Sequence, residues 1–170
     1  MIHRHVKRRT YIIAAGALLL AVIGIVLYLR RGGTADSSSI KVAAKKGKLD
    51  ITVTTTGFNG EFTQIFGLGG NDHLVAGYYT NNLFGGDGND ILDARASQYL
   101  YTVDGGDGDD TIYTRGGLGE VTKGGAGNDI IYAGGEIYGD AGHDKIVILD
   151  SFYSRDVHGG AGHDEITAPA

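Results

Sequence analysis

The segment GGDGNDILD, residues 85–93, decides the fold because its pattern occurs six times along the chain. The other five copies are GLGGNDHLV at 67–75, GGDGDDTIY at 105–113, GGAGNDIIY at 124–132, GDAGHDKIV at 139–147 and GGAGHDEIT at 159–167. Their shared template is G-G-x-G-x-D-x-U-x, where U is a large aliphatic residue, and all six copies keep Gly at position 4 and Asp at position 6. Tandem units of this kind predict a solenoid in which each unit packs only on its neighbours.

The spacing of the copies predicts how the chain winds. Their starts are separated by 18, 20, 19, 15 and 20 residues, close to two units of nine. Each coil then has two short strands, and each strand offers one inward aliphatic side chain. These side chains are Ile65, Leu83, Val103, Ile137 and Val157, with Val121 one place out of register, and at position 8 Leu74, Leu92, Ile112, Ile131, Ile146 and Ile166. The prediction is an all-β parallel roll with coils stacked at ~4.8 Å. The interval of 15 predicts a tight turn at residues 132–136 or an irregular register.

Glycine is concentrated in the loops, since 23 of the 30 glycines lie in residues 61–170. A loop that reverses within six residues and turns its carbonyls toward a common centre needs positive φ and close backbone approach. Position 5 holds Asn, Asp or His, which tolerate the left-handed region. His143, His158 and His163 in neighbouring coils therefore either occupy tolerant turn positions or form a transition-metal site. Tyr113 and Tyr132 at position 9 predict a stacked pair on an outer face, with a polymer-binding platform as the alternative.

The position-6 carboxylates form one column in such a roll: Asp72, Asp90, Asp110, Asp129, Asp144 and Asp164. At ~4.8 Å and an effective dielectric constant of about 20, neighbouring charges repel by up to ~3.5 kcal/mol. A cation between coils removes this penalty. Ca²⁺ takes about six to eight oxygen ligands, which carboxylates and inward carbonyls of two loops provide. Six loops leave five gaps, so we expect up to about five calcium ions.

These repeats resemble the RTX, or haemolysin-type calcium-binding, nonapeptide family over residues 67–167. The resemblance implies a parallel β-roll and calcium as the cofactor. It also implies ligands from the position-6 aspartates and from loop carbonyls at positions 1 and 3: Gly67, Gly69, Gly85, Asp87, Gly105, Asp107, Gly124, Ala126, Gly139, Ala141, Gly159 and Ala161. The side chains of Asp87, Asp107 and Asp140 either tune calcium binding or are solvated turn acids.

The charge and the thin core of the repeat region predict folding coupled to calcium. Residues 61–170 carry eighteen acidic against five basic residues, a net charge of −13. Two aliphatic side chains per coil give little hydrophobic stabilisation against this repulsion. We expect a largely disordered chain without calcium and an extracellular affinity class of ~10⁻⁴ to 10⁻³ M per site.

The N-terminal third has a different composition. Residues 1–60 carry ten basic and two acidic residues, and residues 11–29 contain no charge over a length that can span a bilayer. Two arginines follow this run, which favours an uncleaved anchor over a cleaved signal. The basic residues on its two sides do not settle the orientation. We expect a cytoplasmic N-terminus because the acidic repeats need a calcium concentration that the cytosol does not supply. Residues 1–57 resemble the start of a periplasmic adaptor (membrane fusion protein), without its later domains. The domains are predicted as anchor or signal at 1–31, linker and first strand at 32–57, and roll at 58–170, with residues 49–67 covering the N-terminal end of the roll.

Composition and motifs exclude several functions. The chain has no cysteine, which excludes disulfides and thiolate sites, and it has no nucleophile-base set or phosphate-binding loop. Its negative charge argues against nucleic acid. The sequence predicts a calcium-binding, non-enzymatic structural or interaction module, either anchored in the inner membrane facing the periplasm or secreted. The alternatives are a fragment of a larger RTX enzyme or toxin, and an adhesin-like binder whose protein or glycan partner is unknown.

Overall fold

The structure, a computed structural model, describes residues 38–41, 49–52, 63–149 and 156–169. This part of the chain forms a parallel β-solenoid of two seven-stranded sheets. The first sheet contains β1 (Ser38–Lys41), β3 (Thr63–Gly69), β5 (Thr80–Asp87), β7 (Thr102–Asp107), β9 (Val121–Ala126), β11 (Glu136–Ala141) and β13 (Asp156–His158). The second sheet contains β2 (Leu49–Thr52), β4 (Asp72–Val75), β6 (Ile91–Asp93), β8 (Thr111–Tyr113), β10 (Ile130–Ala133), β12 (Lys145–Ile148) and β14 (Glu165–Thr167).

Consecutive strands alternate between the two sheets, so each coil contributes one strand to each. All pairings are parallel and join a strand to its equivalent in the next coil, as with Leu74 opposite Leu92 and Leu83 opposite Val103. The predicted all-β parallel roll is therefore confirmed. The predicted helix at residues 11–29 lies outside the described residues. Within the described ranges, the chain contains no helix with the length and hydropathy needed to cross a membrane.

The core consists of the two predicted aliphatic columns, which face each other between the sheets. Ile65, Leu83, Val103 and Ile137 of the first sheet, and Leu74, Leu92, Ile112, Ile131 and Ile146 of the second, are fully buried. The fourth coil differs, because Thr122 lies opposite Val103 and Ile137 in the inward column. Val121 pairs with Thr102 and Glu136 instead. The one-place displacement of Val121 in the sequence thus puts a hydroxyl into the core.

The 15-residue interval is absorbed by a tight turn. Only Gly134 and Gly135 separate β10 from β11, and Gly135 has a φ of 83°. A side chain at Gly135 would collide with the carbonyl oxygen of Glu120, so only glycine permits this close approach. The register of β11 with β9 stays regular. The irregular register lies elsewhere, between Thr63 and Gln64 on β3.

Aromatic residues form ladders on the outer faces. Tyr113 and Tyr132 stack as predicted, with ring centroids 5.1 Å apart. Phe66 stacks on Phe84 at 4.8 Å on the first sheet. Such cross-strand pairs help to fix the register of neighbouring coils.

Two N-terminal strands extend the roll before the first repeat. β1 pairs with β3, and β2 pairs with β4, both in parallel. These strands fall in the segment that the sequence analysis assigned to the linker and first strand. They place one further coil on the N-terminal end of the repeat stack.

Candidate metal centre

The six repeats form turns along one edge of the roll, which we number loop 1 to loop 6 in chain order. Positions 1–3 of loop 2 end β5, and Asp90 directly precedes β6, so the chain crosses between the sheets within positions 4–6. Gly86 and Gly88 have φ values of 112° and 124°. A residue with a Cβ rarely adopts such angles, which explains glycine at positions 2 and 4.

The position-6 aspartates form the predicted column and are buried. Asp72, Asp90, Asp110, Asp129 and Asp144 are each 1% exposed. One oxygen of each carboxylate supports the stack, because the backbone N–H of Asp90 donates to Oδ1 of Asp110 at 2.7 Å and the N–H of Asp110 donates to Oδ1 of Asp129 at 2.8 Å. The same bond links the other adjacent pairs along the column. Each aspartate thus fixes the preceding loop.

The bonds along the column involve Oδ1 of each carboxylate and not Oδ2. Oδ2 of Asp90, Asp110, Asp129 and Asp144 is buried and has no hydrogen-bond donor. Leaving a buried acceptor unsatisfied costs about 1–3 kcal/mol, and more for a charged group. Four such atoms in one column are therefore the signature of a missing positive partner.

Backbone carbonyls converge on the same space. A Cβ placed on Gly105 would lie within 3.0 Å of both Oδ2 of Asp110 and the carbonyl oxygen of Gly124 in the next loop. The same pair of oxygens crowds the position-1 glycine of the other loops that have a following loop: Gly67, Gly85, Gly124 and Gly139. A side chain at position 1 would thus collide with a carboxylate oxygen and with a carbonyl oxygen of the next loop, and glycine lets these two oxygens come close together.

The donors in this space fit calcium. They are oxygen atoms from one carboxylate column and from backbone carbonyls, which suit a hard cation. Among the described residues, no three His, Asp or Glu side chains converge on one point. The charge at each gap therefore comes from few carboxylates, and most ligands would have to be carbonyls. That composition suits Ca²⁺ better than Zn²⁺, which takes nitrogen and sulfur ligands.

The predicted position-3 carbonyls already accept backbone hydrogen bonds from the preceding loop. The N–H of Gly88 donates to the carbonyl of Asp107 at 2.6 Å, and the N–H of Gly108 donates to that of Ala126 at 2.6 Å. The equivalent bonds reach Asp87, Ala141 and Ala161. Each carbonyl keeps a second lone pair for a metal ion. The side chains of Asp87, Asp107 and Asp140 are exposed.

The sequence analysis missed the carbonyls at positions 2 and 4. The carbonyl oxygen of Gly86 lies against the Cα of Gly106 in the next loop, and that of Gly88 lies against Gly108. The equivalent carbonyls elsewhere belong to Leu68, Gly70, Gly106, Gly108, Gly127, Asp140 and Gly142. The signal was present in the glycines at positions 2 and 4 of the following repeat, which make room for these oxygens. The ligand roles at all four loop positions stay predictions.

A family model for the RTX calcium-binding nonapeptide repeat matches the chain in four copies, at residues 66–97, 102–118 and 123–146. This part of the chain belongs to the RTX calcium-binding nonapeptide repeat family. RTX rolls are structural calcium-binding domains, so the chain contains a calcium-binding β-roll. No curated protein and no solved structure gives a significant match. The family match does not extend to residues 1–57, and the resemblance of that segment to a periplasmic adaptor stays a prediction.

Burial controls the protonation of the metal-free RTX column. Desolvation raises the pKa of Asp110 to about 7 and the pKa values of Asp90 and Asp129 to about 6. The neighbouring aspartates raise these values further, whereas the backbone N–H of the preceding loop lowers them. Burial also raises the pKa of Asp144. Without a cation, ionisation of these carboxyls is thus shifted from the ordinary acidic range toward neutral pH.

Asp110→Asn tests the column at its centre. Asparagine keeps an Oδ1 acceptor for the N–H of Asp90 but removes the charge. We expect calcium affinity to fall by at least about tenfold, while the metal-free protein becomes more stable because one buried charge is gone. Calcium titrations followed by circular dichroism measure both effects.

The control for Asp110→Asn is Asp109→Asn in the same loop. Asp109 is exposed at position 5, where Asn already stands in loops 1, 2 and 4. Its Oδ1 accepts the N–H of Asn128 at 2.7 Å, and asparagine retains that acceptor. An equal loss of affinity in both variants contradicts a ligand role for Asp110.

Position 5 forms a second ladder that runs in the opposite direction. The N–H of Asp109 donates to Oδ1 of Asn89 at 3.1 Å, and the N–H of His163 donates to Nδ1 of His143 at 2.9 Å. His143 and His163 also stack at 5.5 Å. His158 lies apart from them, stacked on Tyr138 and 2.8 Å from Oδ1 of Asp156. The three histidines of the sequence analysis therefore do not form one cluster.

The RTX roll also buries one acid away from the loops. Glu120 is 4% exposed and lies next to the inward Thr122, whose hydroxyl is 3.5 Å from Oε1. Burial raises its pKa to about 7, and hydrogen bonds from Thr114 and Thr122 lower it only in part. No pattern in the sequence marked Glu120, since its burial follows from the shift of register at Val121.

Glu120→Gln is expected to change the pH dependence of stability. The folded-state pKa lies above the ordinary value of 4.5, so the folded protein holds this proton more tightly than the unfolded one. The contribution of Glu120 to stability is present below pH 4.5, falls as the pH rises to about 7, and stays low above that. Glutamine mimics the protonated acid and removes this loss. Denaturant unfolding in saturating calcium at several pH values measures it, and parallel curves for both proteins would disprove it.

Proposed function

We propose that the protein is a non-catalytic module that folds on binding calcium outside the cytoplasm, with a structural or interaction role. The observation that carries this is the set of buried Oδ2 atoms of Asp90, Asp110, Asp129 and Asp144, which have no donor. A cation in the gaps would supply the partner that these oxygens lack and make burial of the ionised carboxylates favourable. The extracellular calcium concentration is millimolar, which matches the affinity of such sites. The protein therefore binds calcium and folds once it is outside the cytoplasm.

The location follows from the repeats and the leader together. Proteins with RTX repeats are typically secreted or extracellular. Residues 11–29 supply an uncharged segment of bilayer-spanning length directly before the roll. We therefore propose a roll that is tethered by this segment to the outer side of the inner membrane.

Calorimetry of the full chain in detergent tests the calcium part of the proposal. Titration with CaCl₂ is expected to show up to about five ions bound, with affinities of ~10⁻⁴ to 10⁻³ M. Mg²⁺ is the control, since it demands a smaller octahedral site and should bind far more weakly. No heat at millimolar calcium contradicts the proposal.

A further inference from the structure

The edge opposite the calcium loops carries most of the large exposed apolar side chains. This second-turn edge consists of the described turn residues that follow the second sheet, at 76–79, 94–101, 114–120, 134–135 and 149. Its exposed members are Tyr78 (49%), Tyr99 (51%), Tyr101 (51%), Leu118 (66%) and Leu149 (46%). The tyrosines and Leu118 come from three successive turns and form a stripe along the solenoid, whereas Leu149 lies beyond the glycine turn at 134–135.

The stripe has an ordered aromatic part and an aliphatic tip. Tyr99 stacks on Tyr79 with ring centroids 5.5 Å apart, and Tyr78 contacts Tyr99 edge-on at 6.1 Å. Leu118 lies between Gly117 and Gly119, and Gly119 has a φ of 79°. A leucine held out from a glycine turn gains nothing from the core of the roll. Its position suits insertion into an apolar phase outside the protein.

Charge is divided between the two edges. In the turns at 76–79, 94–101 and 114–120, the exposed charged residues are Arg95 and Arg115, because Glu120 is buried. Loops 2 to 4 on the other edge contain six aspartates. Arg95 also pairs with Asp93 at 2.6 Å and lies over the ring of Tyr113. These three turns of the second-turn edge therefore present basic and no acidic side chains to the solvent, which suits an anionic surface.

The leader limits where this edge can be. Six residues, 32–37, lie between Arg31, which follows the apolar segment, and Ser38 at the start of β1. Even fully extended, they span at most about 25 Å. A roll tethered in this way stays close to the bilayer surface. Tyrosine is enriched at the membrane interface, and arginine attracts anionic headgroups.

We propose that the second-turn edge lies against the phospholipid headgroups, with Leu118 and the exposed tyrosines at the interface. This inference rests on the proposed tether, which brings the roll to the membrane. The calcium loops then face away from the lipid, toward the medium that supplies the ion. A glycan would need hydrogen-bonding partners beside the rings, and an aliphatic tip such as Leu118 does not provide them.

Single-cysteine labelling of the full chain tests this inference, because the natural sequence contains no cysteine. Leu118→Cys and Gln98→Cys place an environment-sensitive NBD dye on the second-turn edge, and Gln98→Cys leaves every proposed contact intact. Ile130→Cys is the matched control on the loop side of the roll, where an exposed side chain that is not a candidate calcium ligand begins β10. Each protein is reconstituted with vesicles of phosphatidylcholine and phosphatidylglycerol in millimolar calcium.

The expected result is a blue shift and increased emission at positions 118 and 98, quenched by nitroxide lipids, with no change at 130. Vesicle flotation, run in parallel, measures separately whether the chain is anchored to the vesicles. A chain that floats while all three dyes stay in water overturns the edge and leaves the tether intact. A chain that does not float overturns both. Equal shifts at all three positions also overturn the inference. A shift at position 118 that depends on protein concentration and occurs without vesicles overturns it too, because it shows that a second copy of the chain covers this edge.

Discussion

Excess chelator is expected to abolish most of the far-UV β signal of the full-length protein, and added calcium is expected to restore it. In the stack, five aspartates that are each 1% exposed lie in one column, and four of them have a buried oxygen without a donor. The core that opposes this cost is thin, and in the second coil its large fully buried side chains are Leu83 and Leu92, one from each strand. Metal binding and folding then become one equilibrium.

Circular dichroism with EGTA measures the loss of β signal. The experiment is done at pH 7.5, which lies above the raised pKa values of the buried aspartates. Magnesium at the same concentration is the control and should restore little of the signal. The titration should be cooperative, because each gap is built from two loops and an ion in one gap orders the loop that the next gap shares. A full β signal in chelator would show that packing alone holds the roll.

The repeats and their spacing were enough to predict the roll, because each constraint acts within one coil or between neighbours. The nonapeptide itself sets the period, the position of the aspartates and the position of the inward aliphatic residues such as Leu92 and Ile112. The structure adds what depends on exact register between coils. Thr122 replaces an aliphatic in the core, and Glu120 is buried beside it, because one coil is displaced by a single residue.

The positions of the loop carbonyls likewise could not be predicted from the sequence. The sequence analysis found the aspartate column, since side chains of one type at a fixed interval are visible in the sequence. It missed the carbonyls of positions 2 and 4, since every residue has a carbonyl and only backbone torsion decides where it points. The positive φ of Leu68 (79°) and Asp140 (72°) illustrates this, because these residues follow the geometry of position 2 although they are not glycine.

Gly105→Ala is expected to disrupt the stack more than any surface change. The new Cβ would lie within 3.0 Å of Oδ2 of Asp110 and of the carbonyl oxygen of Gly124, and a backbone atom cannot move aside as a flexible side chain can. Both are candidate calcium ligands, so the methyl group displaces the loop and spoils the gap at once. We expect a loss of at least about 1–3 kcal/mol in calcium-saturated stability and a clear rise in the calcium concentration needed for folding.

The first loop provides the matched control for this prediction. Gly67→Ala meets the same two kinds of oxygen, those of Asp72 and Gly85, within 3.0 Å. Gly69→Ala, two residues further on, meets only the Cβ and the carbonyl oxygen of Asp87, at 3.7 and 3.8 Å, which are ordinary contacts. Alanine already stands at this position in loops 4 to 6. Gly69→Ala should therefore change stability by no more than about 0.5 kcal/mol. Since neither Gly67 nor Gly69 has a positive φ, backbone strain cannot account for a difference between them. Equal effects at 67 and 69 in denaturant unfolding with saturating calcium would mean that position 1 does not border the calcium gap.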